Sequence, residues 1–110
     1  MIYRPKTHEE WSQEPESSVI DAEITGNTVK ITWLYAGRKK QFGAATSRDG
    51  VNFDGQFSER MAGPSERGRF NFILYAATTG ERLLVGTWHT EKGEEKKFLL
   101  VLEPRQPNQS

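Results

Sequence analysis

Apolar side chains recur at every second position over most of this chain, between about Val19 and Leu102. Ile20, Ala22 and Ile24, for example, alternate with polar residues. A period of two is typical of a β-strand, whose successive side chains point to opposite faces. Glycine together with Asn, Asp, Lys or Thr interrupts the alternation at short intervals, and such residues close hairpins. The sequence therefore predicts an all-β chain of about seven to eight short strands.

Short turns between consecutive strands favour an antiparallel meander, which must curl to hide its edges. We predict a small barrel, closed or nearly closed, with a two-sheet sandwich as the second choice. The longest connection is the polar segment Ser58–Gly68, which contains Pro64. A length of 110 residues suits one domain with one core. Residues 1–110 are thus expected to form a single domain, with the β-barrel over residues 17–103 and a flexible tail over residues 104–110.

Residues 1–16 precede the alternating region and carry a helix signal. Thr7 is a typical N-cap residue, Glu10 stands three positions later as a capping-box partner, and Pro15 follows the expected end. The pattern predicts a short N-terminal helix from Thr7 to Gln13.

Glycine stands two positions before a large aromatic residue in two of the strands, "FDGQF" ending at Phe57 and "LVGTW" ending at Trp88. Residues two apart on a strand share a face, so these glycines lie on the apolar face. The first interpretation is packing and strand curvature. The alternative is that the glycines open a ligand cavity with aromatic walls. The residues predicted to line that cavity are Trp33, Tyr35, Phe53, Gly55, Phe57, Phe72, Gly86 and Trp88.

The Gly-Thr-Trp at Gly86–Trp88, the repeated glycine–aromatic strands and the meander of short strands resemble the lipocalin and avidin group of calycin-like barrels. That resemblance implies an antiparallel barrel that holds a small ligand. Two features depart from the group's pattern. The Gly-x-Trp stands in the penultimate strand rather than the first, and the chain is expected to be one strand short of eight.

The C-terminal strands carry apolar residues on both faces. If Phe72, Leu84 and Leu100 point inward, their apolar neighbours in sequence point outward, and burial on both sides is expected. Either the N-terminal helix covers this outer face, anchored by Trp11, or a second copy or protein partner does. The residues of this predicted interface are Trp11, Ile73, Tyr75, Val85, Leu99 and Val101.

Positive and negative charges balance at 15 each, so no overall field draws the protein to nucleic acid or to an anionic membrane. Basic clusters at residues 38–40 and at Lys92, Lys96 and Lys97 leave single-stranded nucleic acid as a lesser alternative. No apolar run approaches the length of a membrane span. A cytoplasmic location is expected.

Residues for catalysis or metal binding are sparse. There is no cysteine, and the histidines are His8 and His89. No nucleophile elbow or phosphate-binding loop occurs, and Asp21 and Glu23 fit a solvated strand face. "SRDGVNF" is interpreted as a turn in which Asp49 accepts backbone N–H groups, rather than as a calcium loop. We therefore expect no cofactor and no metal, and a binding protein rather than an enzyme.

These observations lead to one prediction and two alternatives. The prediction is a non-catalytic β-barrel that binds an apolar or aromatic small ligand in an aromatic-lined cavity. The alternative is a module for protein–protein interaction or homodimerisation that uses the outer face of the C-terminal strands. The lesser alternative is a barrel that binds single-stranded nucleic acid.

Overall fold

Eight β-strands and no helix make up the described part of the chain, which in the computed structural model is residues 1–11, 17–35, 39–59, 67–90, 93 and 95–105. The strands are β1 (Ile2–Trp11), β2 (Ser17–Thr25), β3 (Thr28–Tyr35), β4 (Lys39–Thr46), β5 (Asn52–Glu59), β6 (Arg67–Ala76), β7 (Arg82–Thr90) and β8 (Glu95–Pro104). Residues 60–66, the middle of the predicted long connection with Pro64, lie outside the described residues.

The strands form one closed barrel in which each strand is antiparallel to the next along the chain. β8 closes the barrel against β1, in a ladder that runs from Tyr3 opposite Pro104 to Trp11 opposite Lys97. A closed sheet has no free edge to pair with another chain. The predicted all-β antiparallel barrel is confirmed, and the two-sheet sandwich is not observed.

The predicted N-terminal helix is wrong. Residues Thr7 to Trp11 pair with β8 as part of β1, and residues 12–16, which include the rest of that helix and Pro15, lie outside the described residues. A capping pattern is a local signal, whereas β1 satisfies its backbone groups by pairing with β2 on one side and β8 on the other. The sequence was also expected to be one strand short of eight. β1, which was predicted as a helix, supplies the missing strand.

The C-terminal end of β8 continues into the predicted tail. Pro104 pairs with Tyr3, and the Arg105 N–H donates to the Ile2 carbonyl at 2.9 Å. Residues 106–110 lie outside the described residues.

A β-bulge in β2 changes the face of one predicted inward residue. The register between β2 and β3 shifts between Val19 and Asp21, so that Val19 packs against the core while Ile20 is exposed. The alternation in the sequence predicted Ile20 on the same face as Ala22, which is buried. A bulge places one extra residue in a strand and so reverses the facing of the residues on one side of it.

The β4–β5 connection is a turn held by Asp49, as predicted. Its Oδ1 accepts the backbone N–H groups of Asn52 and Val51, each at 2.8 Å, and the Ser47 hydroxyl at 2.9 Å. These hydrogen bonds, led by the one from the Asn52 backbone, hold the pKa of the Asp49 carboxyl well below its usual range. The Asp49 side chain thus fixes the hairpin.

The strand glycines have two structural roles. A Cβ on Gly55 would lie 2.1 Å from the Ala44 carbonyl oxygen, and one on Gly86 would lie 1.9 Å from the Asn71 carbonyl oxygen. At these positions the neighbouring backbone approaches too closely for any side chain. A Cβ on Gly43 would instead meet aromatic rings of the core at 2.9 Å. Both observations agree with the packing and curvature interpretation of the glycine pattern.

Candidate functional site in the barrel interior

The two ends of the barrel interior differ in chemistry. Because the meander runs up and down, the β2–β3, β4–β5 and β6–β7 turns all lie at one end, which we call the turn end. The interior residues of the turn end include Tyr3, Val29, Phe53, Leu84 and Leu102. The opposite end, which we call the polar end, carries the interior residues His8, Glu10, Gln41 and Lys96.

The strand period places these polar side chains inside. Lys96 is two positions before Phe98, which is buried, and Lys96 itself is 7% exposed. Gln41 is two positions before Gly43 on the inward face of β4 and is 2% exposed. His8 and Glu10 lie opposite β8 in the same ladder. Polar residues on an inward face need partners inside the barrel.

Glu10 and Lys96 form an ion pair inside the polar end. Glu10 Oε1 lies 3.7 Å from Lys96 Nζ, and the two side chains are 2% and 9% exposed, respectively. Removing two charges from water is costly, and their mutual attraction roughly offsets that cost. Well-packed apolar residues would often give equal or greater stability in such a place. A contribution to folding stability therefore does not explain why this ion pair is present.

An aromatic cluster lies in the same half of the barrel interior as this ion pair. Trp33 and Trp88 meet edge to face at 4.8 Å between ring centroids, and Phe57 packs edge to face against each of them at 5.5 Å. The Trp33 indole N–H donates a hydrogen bond to Gln41 Oε1. Edge-to-face contacts are a favoured ring geometry, so the rings hold one another in place.

The two ring nitrogens of His8 differ: Nδ1 accepts a hydrogen bond, and Nε2 has no acceptor among the described residues. The Val19 N–H donates to His8 Nδ1 at 3.4 Å, so the proton of the neutral imidazole lies on Nε2. Nε2 is buried and has no hydrogen-bond partner among the described residues. Burial lowers the pKa of His8, and the Glu10 carboxylate opposes that shift in part. His8 is therefore a neutral donor.

Trp88 carries a second donor of this kind. Its Nε1 is buried and finds no hydrogen-bond partner within the part of the chain that the structure describes. A buried donor without an acceptor destabilises a fold by about 1–3 kcal/mol. Two such donors at one end of the barrel form a polar feature that packing alone does not explain.

A small cavity lies against both of these residues. Its volume is about 20 Å³, enough for one water-sized group. The residues that line it are His8, Val19, Ile31, Trp33, Phe70, Trp88, Phe98 and Leu100. The surface of this cavity is apolar, and the buried nitrogens His8 Nε2 and Trp88 Nε1 are not exposed to it.

The structure brings most of the predicted cavity residues together in the core. Trp33, Phe53, Phe57, Phe72 and Trp88 are all buried there. Their rings largely contact one another, so they fill most of the interior instead of surrounding an open space. Of the remaining predicted residues, Gly55 and Gly86 lie at close backbone contacts, as described above. Tyr35 ends β3, and its side chain lies outside the described residues.

Sequence reasoning missed the four polar residues of the polar end. For Lys96 a signal was present, because it has the same facing as Phe98, Leu100 and Leu102. For His8 and Glu10 no such signal could be used, since the segment was predicted as a helix. Closure of the barrel by β1 is what places them inside.

The predicted outer patch on β6, β7 and β8 is present, and no helix among the described residues covers it. Ile73 pairs with Val85, which pairs with Leu99, and a second row joins the neighbouring apolar residues of the same strands. Ile73 and Val85 are 38% and 40% exposed. The predicted cover is wrong, because Trp11 lies on β1 opposite Lys97 and is itself exposed. The second row of the outer patch consists of Tyr75 on β6, Leu83 on β7 and Val101 on β8.

A polar groove of about 740 Å³ runs over the outside of β4 to β7. Its main residues besides His89 are Ala44, Thr46, Asp54, Gln56, Arg69 and Asn71. His89 lies in it, exposed on the opposite face of β7 from Trp88.

Among the residues that the structure describes, no group of three His, Cys, Asp or Glu side chains could hold a metal ion. The same residues include no helix long and apolar enough to cross a bilayer.

Comparisons with known proteins do not place the chain in a family. No protein-family model matches the sequence, and searches of curated proteins and of solved structures gave no significant match. Any functional inference therefore depends on the geometry of the barrel itself.

Proposed function

We propose that the protein binds a small, mainly apolar ligand at the polar end of its barrel interior and does not act on it chemically. The observation that carries this proposal is the pair of buried donors, His8 Nε2 and Trp88 Nε1, on residues that line the same cavity. A ligand site typically combines an apolar wall with a few convergent polar groups.

The size of the barrel is consistent with one small ligand. An eight-stranded barrel has an interior that side chains just fill or that holds a single small molecule. The cavity of about 20 Å³ admits one water-sized group. A larger ligand would therefore place one group in this cavity and push the Trp33 and Trp88 rings apart. The architecture is also the one implied by the resemblance to lipocalin and avidin barrels.

The test is a thermal-unfolding screen of the protein against a panel of small aromatic and aliphatic compounds. A bound ligand raises the melting temperature, because saturation at about a hundred times Kd adds about 2.7 kcal/mol to the free energy of unfolding. Val19 lines the cavity, so Val19→Phe should fill it and abolish the shift. Ile24→Phe on the same strand, which alters the turn end, is the matched control and should keep the shift.

Two results would contradict the proposal. If no compound shifts the melting temperature, the interior has no ligand function within the panel's chemistry. If Val19→Phe and Ile24→Phe lose the shift equally, the ligand does not bind at the polar end.

A second candidate function is homodimerisation through the outer patch. Two rows of three apolar side chains lie in direct register on three adjacent strands, and a contiguous exposed patch of this kind often marks an interface. Val85 is at the centre of one row, so Val85→Lys should convert a dimer into a monomer in sedimentation velocity. Ile20→Lys, at an equally exposed site on β2, should leave the dimer intact. A wild-type protein that sediments as a monomer at all concentrations would contradict this candidate.

The lesser alternative, binding of single-stranded nucleic acid, has less support. Bases stack on exposed rings in such proteins, but most aromatic rings of this barrel face its interior. Trp11 and Tyr75 are exposed aromatic residues among those described. Arg38 and Lys92, from the two basic clusters, lie outside the described residues, and Lys96 is buried.

A further inference from the structure

We infer that the ligand is uncharged and that it presents a carbonyl-type oxygen to the His8 Nε2–H and the Trp88 Nε1–H. This inference rests on the proposed function and specifies the chemistry of the ligand. Three observations support it: the donors on the residues that line the cavity, the acceptors that these residues lack, and the balance of charge at this end of the barrel.

Two of the residues that line the cavity carry buried donors. His8 Nδ1 already accepts the Val19 N–H, so the free nitrogen of the neutral ring carries a proton. An indole nitrogen is a donor only, and that of Trp88 is the second buried donor without a partner among the described residues. A carbonyl oxygen has two lone pairs and can accept from both donors at once.

None of the described residues that line the cavity offers an acceptor to a ligand. Its other lining residues are Val, Ile, Leu, Phe and Trp side chains, none of which has a strong acceptor atom. An alcohol or an amine would bring a donor of its own and find no acceptor for it among the described residues that line the cavity. A ketone, ester or tertiary amide brings only the acceptor that the two donors need.

Charge balance favours an uncharged ligand over a carboxylate. The buried ionic groups at this end, Glu10 and Lys96, already form an ion pair with no net charge. Burial keeps His8 neutral. A carboxylate would add a negative charge between apolar walls, and among the described residues that line the cavity there is no cation to balance it. Burying such a charge is strongly unfavourable.

Three compounds of similar shape separate these possibilities: acetophenone, ethylbenzene and benzoate. Acetophenone carries the carbonyl oxygen, ethylbenzene replaces it with hydrogen, and benzoate replaces the methyl ketone with a charged carboxylate. Each is titrated into the ¹⁵N-labelled protein while the indole N–H signals are followed by NMR. We expect acetophenone to bind about tenfold or more tightly than the other two, the difference of one well-made hydrogen bond, and to shift the Trp88 N–H signal most.

Variants test the named donors. His8→Leu should weaken acetophenone binding about tenfold and leave ethylbenzene binding unchanged, because only the donor is lost. Trp88→Phe should do the same if its spectrum shows a folded barrel, and His8→Leu alone is sufficient if it does not. His89→Leu, on the outer face of β7, is the control and should bind all three compounds as the wild type does.

The outcomes separate this inference from the proposed function. If ethylbenzene binds as tightly as acetophenone, the carbonyl inference is overturned, while ligand binding in the barrel stands. If benzoate binds most tightly, the uncharged character is overturned. If none of the three binds, the carbonyl inference is overturned, and if the panel screen is also negative, the proposed function fails with it.

Discussion

The turn end and the polar end are built on the same eight strands, but only the polar end adds buried polar and charged side chains to its apolar ones. At the turn end Phe53, Leu84 and Leu102 are almost completely buried, and Phe53 stacks on Phe72 at 5.0 Å between ring centroids. At the polar end the interior holds an ion pair and two donors without acceptors among the described residues.

This difference separates stability from function within one core. Burial of apolar side chains is the main source of folding free energy, and the turn end is composed in that way. Buried polar groups and ion pairs contribute little or destabilise, so the polar end is where the barrel departs from the most stable composition. Departures of this kind are expected at functional sites. The comparison can be tested by changing each end separately.

The largest effect is expected at the turn end. Phe53 is 1% exposed and stacked on Phe72, so Phe53→Ala should lower the free energy of unfolding by about 3–5 kcal/mol through lost burial and a new cavity. Urea denaturation measures this, with Tyr75→Ala on the outer face as a control that should change stability much less. A loss below about 1.5 kcal/mol would mean that the turn end is not the main source of stability.

The next effect concerns the ion pair of the polar end. Lys96→Met should destabilise by about 3 kcal/mol, because it leaves the Glu10 charge buried without its partner. The double variant Glu10→Leu/Lys96→Met should recover to within about 1 kcal/mol of the wild type or exceed it. Urea denaturation of the three proteins gives these values. A double variant as unstable as the single one would show that the pair does contribute stability, and the contrast between the ends would weaken.

A smaller effect is expected where the two ends meet. Gly86 lies between Leu84 and Trp88 on β7, and a Cβ there would lie 1.9 Å from the Asn71 carbonyl oxygen. Gly86→Ala should therefore destabilise by about 1–3 kcal/mol, because β6 and β7 must move apart. Thr87→Ala, the neighbouring position on the outer face, should change stability by less than about 0.5 kcal/mol. Equal melting temperatures for Gly86→Ala and the wild type would contradict the close approach.

The smallest effect is a pH dependence from His8. Burial lowers its pKa in the folded state, so the unfolded chain takes up the proton first as the pH falls through about 6.5. The stability that depends on neutral His8 is present above that pH and is lost below it, down to the lowered pKa of the folded state. Urea midpoints between pH 7.5 and 5 should fall more for the wild type than for His8→Leu, and His89→Leu should behave as the wild type. Parallel curves for all three proteins would mean that His8 is not held neutral by burial.

The fold class could be predicted from the sequence because its determinants are local. Alternating apolar residues and glycine-containing turns specify strands and hairpins through contacts between near neighbours. The inward facing of Phe72, Leu84 and Leu100, with apolar partners outside, followed from the same period and is observed. The Asp49 turn is equally local, since the atoms that bind its carboxylate lie within three residues of it.

The first strand and the polar end could not be predicted in this way. β1 has inward polar residues and a bulge between Pro5 and Thr7, so its period is hidden, and Thr7 and Glu10 imitate a helix cap. Its partner β8 is about ninety residues away in the chain, and only closure of the barrel brings the two together. That closure turns His8 and Glu10 inward, because the pairing register decides which face of a strand is buried. Local sequence therefore specified strands and turns, while the long-range pairing of the first strand with the last created the candidate site.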